Sequence, residues 1–230
     1  MNMNPLKFLP ILIFFVSGGF VGSASLRADA LTDIQISVVN GKLTTGLTKY
    51  VGVFDPQTFE THDPGFAGIP PSGNQYAVQI AQKLWYHSGI EGDPVTAVTA
   101  GAFVRVSDGN SSLDVTGSSG LQAGLILDNN LSGSLHSHLD FLLFPHAGSL
   151  APDGVYGIVM QITSPSYQTS DPFLLAIANI AGGDLTLEGI EYGEQAIFNV
   201  AVPEPSSIAL AGLGVAGLAG AALRRRMRKR

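Results

Sequence analysis

The stretch Ile34-Gln35-Ile36-Ser37-Val38-Val39-Asn40-Gly41 decides the fold class. Ile34, Ile36 and Val38 alternate with polar or smaller residues, the period of a half-buried strand. Asn40-Gly41 follows at once and supplies a tight turn. Outward from this segment the same pattern recurs. Strands are predicted at Tyr50–Phe54, Tyr76–Leu84, Val95–Val106, Leu121–Leu127, Leu139–Phe144, Val155–Ile162, Phe173–Ala178, Leu185–Leu187 and Ala196–Val200. Asp108-Gly109, Asp153-Gly154 and Gly182-Gly183 mark further turns, and Phe66 to Asn74 reads as a long loop. No run keeps a helical period; Asn74–Lys83 is the one segment where helix competes with strand. The expectation is an all-β body forming a single β-sandwich, with a jelly roll as the competing arrangement. No repeat of fixed period appears, which argues against a propeller or solenoid.

Composition and charge narrow the function. The 230 residues contain no cysteine, 13% charged residues and a formal charge of −6. Disulfide scaffolds, thiolate metal sites and catalytic thiols are thereby excluded. Six of the twelve bases lie in the last seven positions, from Arg224 to Arg230. Residues 31–202 keep only Lys42, Lys49, Lys83 and Arg105 against sixteen acids, a charge of about −12. An acidic body of this kind has no nucleic-acid partner.

The ends read as targeting signals. Residues 1–30 combine Lys7, an apolar run from Phe8 to Val16 and Ala28-Asp29-Ala30, the pattern of a signal peptide cut by signal peptidase after Ala30. Residues 31–201 form the exported domain, and 202–230 a tail in three parts. First comes Val202-Pro203-Glu204-Pro205-Ser206; then the uncharged Ile208–Leu223, predicted as a transmembrane helix; then Arg224, Arg225 and Arg226 opening a basic run. Sixteen helical residues span about 24 Å, short of a ~30 Å hydrocarbon core. Snorkelling by Arg224 and inclusion of Ser206 and Ser207 narrow the gap. The arginines hold the cytoplasmic side, so the body faces outward, in agreement with the signal peptide.

This tail resembles the PEP-CTERM sorting signal of Gram-negative bacteria. The resemblance implies recognition by an exosortase, a membrane-embedded protease-transpeptidase, and removal of the tail near Pro203-Glu204-Pro205. It further implies an inner-membrane intermediate, then a place at the cell surface or in an extracellular matrix, in bacteria that make exopolysaccharide or biofilm.

Inside the body the chemistry-bearing residues are histidines. His136, His138 and His146 fall within eleven positions, and His62 sits in Thr61-His62-Asp63-Pro64-Gly65. On a strand, residues two apart share a face, so His136, His138 and Asp140 are expected in one row. Two imidazoles at that spacing chelate Zn²⁺ or Cu²⁺ when a third ligand joins them, and His62 is the expected third. His146 is a fourth candidate, although Pro145 breaks the alternation before it. His87, beside Trp85 and Tyr86, reads as packing or surface. The segments His136-Ser-His138-Leu-Asp140-Phe, Pro152-Asp-Gly154-Val-Tyr156 and Ser170-Asp171-Pro172-Phe173 also resemble a His-x-His domain of surface-anchored bacterial proteins, some linked to zinc regulation. That resemblance covers roughly residues 130–180 and lacks a longer histidine run.

Three functions follow as expectations. The first is a non-enzymatic surface or matrix protein processed by exosortase. The second adds zinc or copper capture by His62, His136 and His138. The third is a zinc-dependent hydrolase of matrix polymer with Asp140 or Glu60 as base; exopolysaccharide binding is a separate role. No nucleophile elbow, phosphate loop or dinucleotide fingerprint is present.

Overall fold

The computed structural model describes residues 33–68, 75–99, 101–127, 135–146 and 151–202. The signal peptide, Pro203 to Ser206, the predicted membrane helix and Arg224 to Arg226 lie outside the described residues. Among the described residues, no helix is long and apolar enough to cross a membrane.

The described residues form fifteen strands and one helix. The first five strands are β1 (Ile34–Val39), β2 (Lys42–Thr45), β3 (Lys49–Val53), β4 (Glu60–Thr61) and β5 (Phe66–Gly68). Next come β6 (Tyr76–Ile80), β7 (Trp85–His87), β8 (Thr96–Ala97), β9 (Phe103–Ser107) and β10 (Ser112–Thr116). The last five are β11 (Gln122–Leu127), β12 (Leu135–Ser137), β13 (Asp140–Phe144), β14 (Gly154–Thr163) and β15 (Phe173–Asn179). Helix α1 (Leu187–Ala201) closes the body.

Two small sheets and one large sheet share a core. The small sheets run β12-β5-β1-β2 and β10-β9-β13-β4. The large sheet runs β11-β6-β14-β15-β3, with β7 also paired to β14 and carrying β8. Ile34, Ile36 and Leu43 from one small sheet, and Val104, Phe141 and Leu143 from the other, pack with Tyr156, Ile158, Met160, Phe173, Leu175 and Ile177 of the large sheet. The all-β expectation therefore holds, in sandwich form. Parallel pairing of β1 with β5 and of β3 with β15 joins regions distant in sequence.

The large sheet is covered on its second face as well. Val155, Val159, Leu174, Ala176 and Ala178 point away from the sandwich core and pack beneath Ile190, Ile197 and Ala201 of α1. Two covered faces explain why β15 is apolar without alternation from Phe173 to Ala178, and its last residue, the buried Asn179, donates its amide to the Ala151 and Pro152 carbonyls. Gly157 makes the close approach feasible, since a Cβ there would lie 2.5 Å from Ile197 Cγ2. Gly193 does the same from the helix side, 2.5 Å from Val155 Cγ2.

Helix α1 corrects the strands expected at Leu185–Leu187 and Ala196–Val200. Thr186 caps it, its hydroxyl accepting from Gly189 N at 3.1 Å, and Glu188 suits the positive first turn. Its buried positions Ile190, Gly193, Glu194, Ile197 and Ala201 follow a 3.6-residue period. Lys49 Nζ meets the largely buried Glu194 Oε1 at 2.6 Å and ties the helix to β3. The segment where helix competed with strand contains β6 instead, and Val95–Val106 is two strands, β8 and β9, rather than one.

A histidine corner between two sheets

The two small sheets are joined at one corner by two chain segments running side by side. Strand β4 pairs with β13, Thr61 opposite Phe141, in one sheet. Strand β5 pairs with β12, Phe66 opposite Ser137, in the other. Residues 62–65 and 138–139 are the crossings between these pairs, where ladder hydrogen bonds end and the side chains of His62, Asp63 and His138 turn to solvent. The strand expected at Leu139–Phe144 is β13, and Leu135–Ser137 before it is a separate strand, β12, with His138-Leu139 between the two. Burial still alternates through the break: Leu135, Ser137 and Leu139 are buried, His136 and His138 exposed, and Asp140 half-buried.

The exposed row gathers two sets of ligand atoms, each within 4.8 Å: Asp33 with His136 and His138, and Glu60 with His62 and Asp140. His136 Nε2 lies 3.0 Å from His138 Nε2 and 3.5 Å from Asp33 Oδ2. His138 Nδ1 is 3.0 Å from the main-chain oxygen of His62. A carbonyl oxygen only accepts, so Nδ1 carries the proton, and Nε2 of the neutral ring presents its lone pair toward His136. This is how metal-binding histidines are usually oriented, with the far nitrogen donating to a carbonyl or carboxylate. Gly65 clears the space: a Cβ there would lie 2.6 Å from His138 Cε1 and 2.8 Å from Asp33 Oδ1.

His62 contributes its carbonyl to the first set and its ring to the second. Its Nδ1 is 2.7 Å from Asp140 Oδ1, and its Nε2 is 4.0 Å from Glu60 Oε1. Asp33 was the residue missed by sequence reasoning. It precedes β1 by one position, and only the parallel β1–β5 pairing carries it to the corner. No local spacing signals such a ligand. Neither of the other histidines joins. His87 is buried, its Nδ1 accepting from Gly89 N at 3.0 Å while Nε2 lies 3.1 Å from the Asp93 carbonyl. His146 lies past the far end of β13 and helps line a cavity of about 240 Å³ with Tyr86 and Tyr156. Burial raises the pKa of both phenols, so they stay neutral there.

Comparison with known proteins bears on the tail. A family model for the PEP-CTERM protein-sorting motif matches residues 201–226. The chain carries a PEP-CTERM sorting tail. It is therefore an exported protein with a C-terminal sorting signal, and an exosortase is its processing partner. The motif begins at Ala201, inside the last turn of α1, and Val202 is its first residue beyond the helix. The PEP-CTERM match does not extend into the body, so the likeness to a His-x-His domain rests on the quoted residues alone. No curated protein matches the chain in sequence. Among solved structures, the CooA pilin subunit from enterotoxigenic Escherichia coli is similar over 64% of this chain and 97% of its own, at 9% identity and a TM-score of 0.28. At that level it informs neither mechanism nor partner.

Proposed function

We propose that this PEP-CTERM protein is a non-enzymatic surface or matrix protein whose body captures a divalent transition metal through His136, His138 and Asp33. The observation that carries this reading is the 3.0 Å approach of the two Nε2 atoms, with His138 Nδ1 committed to the His62 carbonyl. Two imidazole nitrogens and a carboxylate form a ligand set suited to Zn²⁺ or Cu²⁺, with bonds of about 2.0–2.2 Å for zinc. The His136 side chain is 60% exposed. Such openness favours loading and release of a cation over chemistry that needs water excluded. The acidic body raises the cation concentration around it.

Calorimetry of the full chain in detergent with Zn²⁺, against the His136→Ala/His138→Ala variant, tests the metal reading. Heat lost in the variant supports it; equal heats reject it. Expression with and without an exosortase tests the sorting reading through the mass of the chain. A tail that stays intact in both cases rejects it.

A further inference from the structure

We infer that the corner holds a second cation position, at His62 and Glu60, distinct from the one at His136 and His138. The inference goes beyond the proposed function but shares its wall. Both rest on the same two crossings, with the His62 main chain on one side and the His62 ring on the other.

The argument starts from protons. Asp140 accepts from His62 Nδ1 at 2.7 Å, so Nε2 of the neutral ring is left with its lone pair exposed. That nitrogen faces Glu60 Oε1 at 4.0 Å, a separation that two ligand bonds of about 2 Å can bridge. Carboxylate, imidazole and metal then stand in line: Asp140 orients the ring and strengthens its donor nitrogen, and Glu60 supplies a negative oxygen. Asp140 is a positioning residue in this arrangement. Bonded to Nδ1, its carboxylate stands across the ring from Nε2, so it orients the donor nitrogen and leaves the cation to Nε2 and Glu60. One nitrogen and one or two oxygens make a harder site than the two-imidazole pair, so the second position binds Zn²⁺ more weakly.

His62 serves both positions by different parts of itself. Its main-chain carbonyl orients His138, and that carbonyl survives any side-chain substitution. A cation on the His62 ring also restrains residue 62 and with it the His138 tautomer, so filling the second position tightens the first.

Equilibrium dialysis of the full chain in detergent with Zn²⁺ tests this. Wild type is expected to take up two ions, and both His62→Ala and the milder Glu60→Gln one ion, with the first retained. The His136→Ala/His138→Ala variant should keep only the weaker one. Uptake of a single ion that survives His62→Ala overturns the second position and leaves the first standing. A single ion that survives His136→Ala/His138→Ala overturns the first and leaves the second. A single ion lost in both variants means one shared site, which also overturns the inference, and no uptake overturns both. Thermal midpoints measured in EDTA separate lost binding from lost folding.

Discussion

Strands β14 and β15 and the histidine corner are both built from alternating side chains, yet they hold opposite contents. In the strand pair, one set of side chains meets the sandwich core and the other meets α1, so the two faces are equally dry. At the corner one set is buried and the other meets water, and that second set is histidine and carboxylate. Layering thus decides which positions are free for chemistry. The covered strands specify stability, and the place where two segments leave one sheet for another leaves polar side chains free for binding.

The largest effect expected of a single change lies in the covered pair. Phe173 is fully buried and edges onto Tyr50 at 5.9 Å between ring centres. Phe173→Ala should cost about 3–5 kcal/mol in urea unfolding and leave Zn²⁺ affinity unchanged in whatever fraction stays folded. The corner should respond in the reverse way. Gly65→Ala pushes a methyl group against His138 and Asp33, so Zn²⁺ affinity should fall about 10–100-fold, the range found for disturbed ligand orientation. Its thermal midpoint in EDTA should move little. If Gly65→Ala unfolds the protein, or Phe173→Ala abolishes binding in folded molecules, the division of labour between the two regions is wrong.

Two smaller effects test whether charge on the surface matters for the fold. Asp108 is partly desolvated, which raises its pKa, but N–H groups of Ile126, Ser111 and Asn110 more than offset this and hold it below the usual carboxylate value. A depressed folded-state pKa stabilises the fold above the unfolded value of about 3.9 and loses that contribution as pH falls through the folded value. Asp108→Asn should therefore cost about 0.5–1 kcal/mol near neutral pH, since solvent screens the group, and the gap to wild type should close below about pH 4 in acid unfolding curves. Arg105→Ala removes a bidentate pair with Asp114, at 2.7 and 2.9 Å, and a stacking contact with Phe144. Both partners are exposed, so the loss should be the smallest of the four and shrink further in salt.

The same two regions show what was legible in the sequence. β1 is read to the residue because its inner face is apolar and its outer face polar. β14 and β15 are found within a residue or two at each end, as continuous apolar runs bounded by turns. Helix α1 escapes because its buried stripe contains Gly189 and Gly193, and its β-branched residues Ile190, Ile197 and Val200 favour strand on their own. Only close approaches explain those glycines, Val155 against Gly193 and the Gly89 carbonyl against Gly189, and both contacts are tertiary. At the corner, the exposed row of His136, His138 and Asp140 follows from spacing alone. The break that puts His136 and Asp140 in different sheets does not, nor does the arrival of Asp33 through a parallel pairing.

Helix α1 ends where the sorting motif begins, and its last residues are not slack. Ala201 is fully buried, Val202 nearly so, and the Ala201 carbonyl accepts from Gln82 Nε2 at 2.7 Å. Five residues, 203–207, separate this anchor from the uncharged stretch, a tether of less than about 20 Å even when fully extended. While the tail is intact, the body is held within that distance of whatever holds the tail. After a cut near Pro203, a body rejoined to a surface acceptor would be pulled through α1. Force would enter at the last turn, where the Gln82 bond and the buried Ala201 and Val202 tie the helix to the body. The corner with its histidines lies on the small sheets, across the sandwich core from that helix and away from where the load enters.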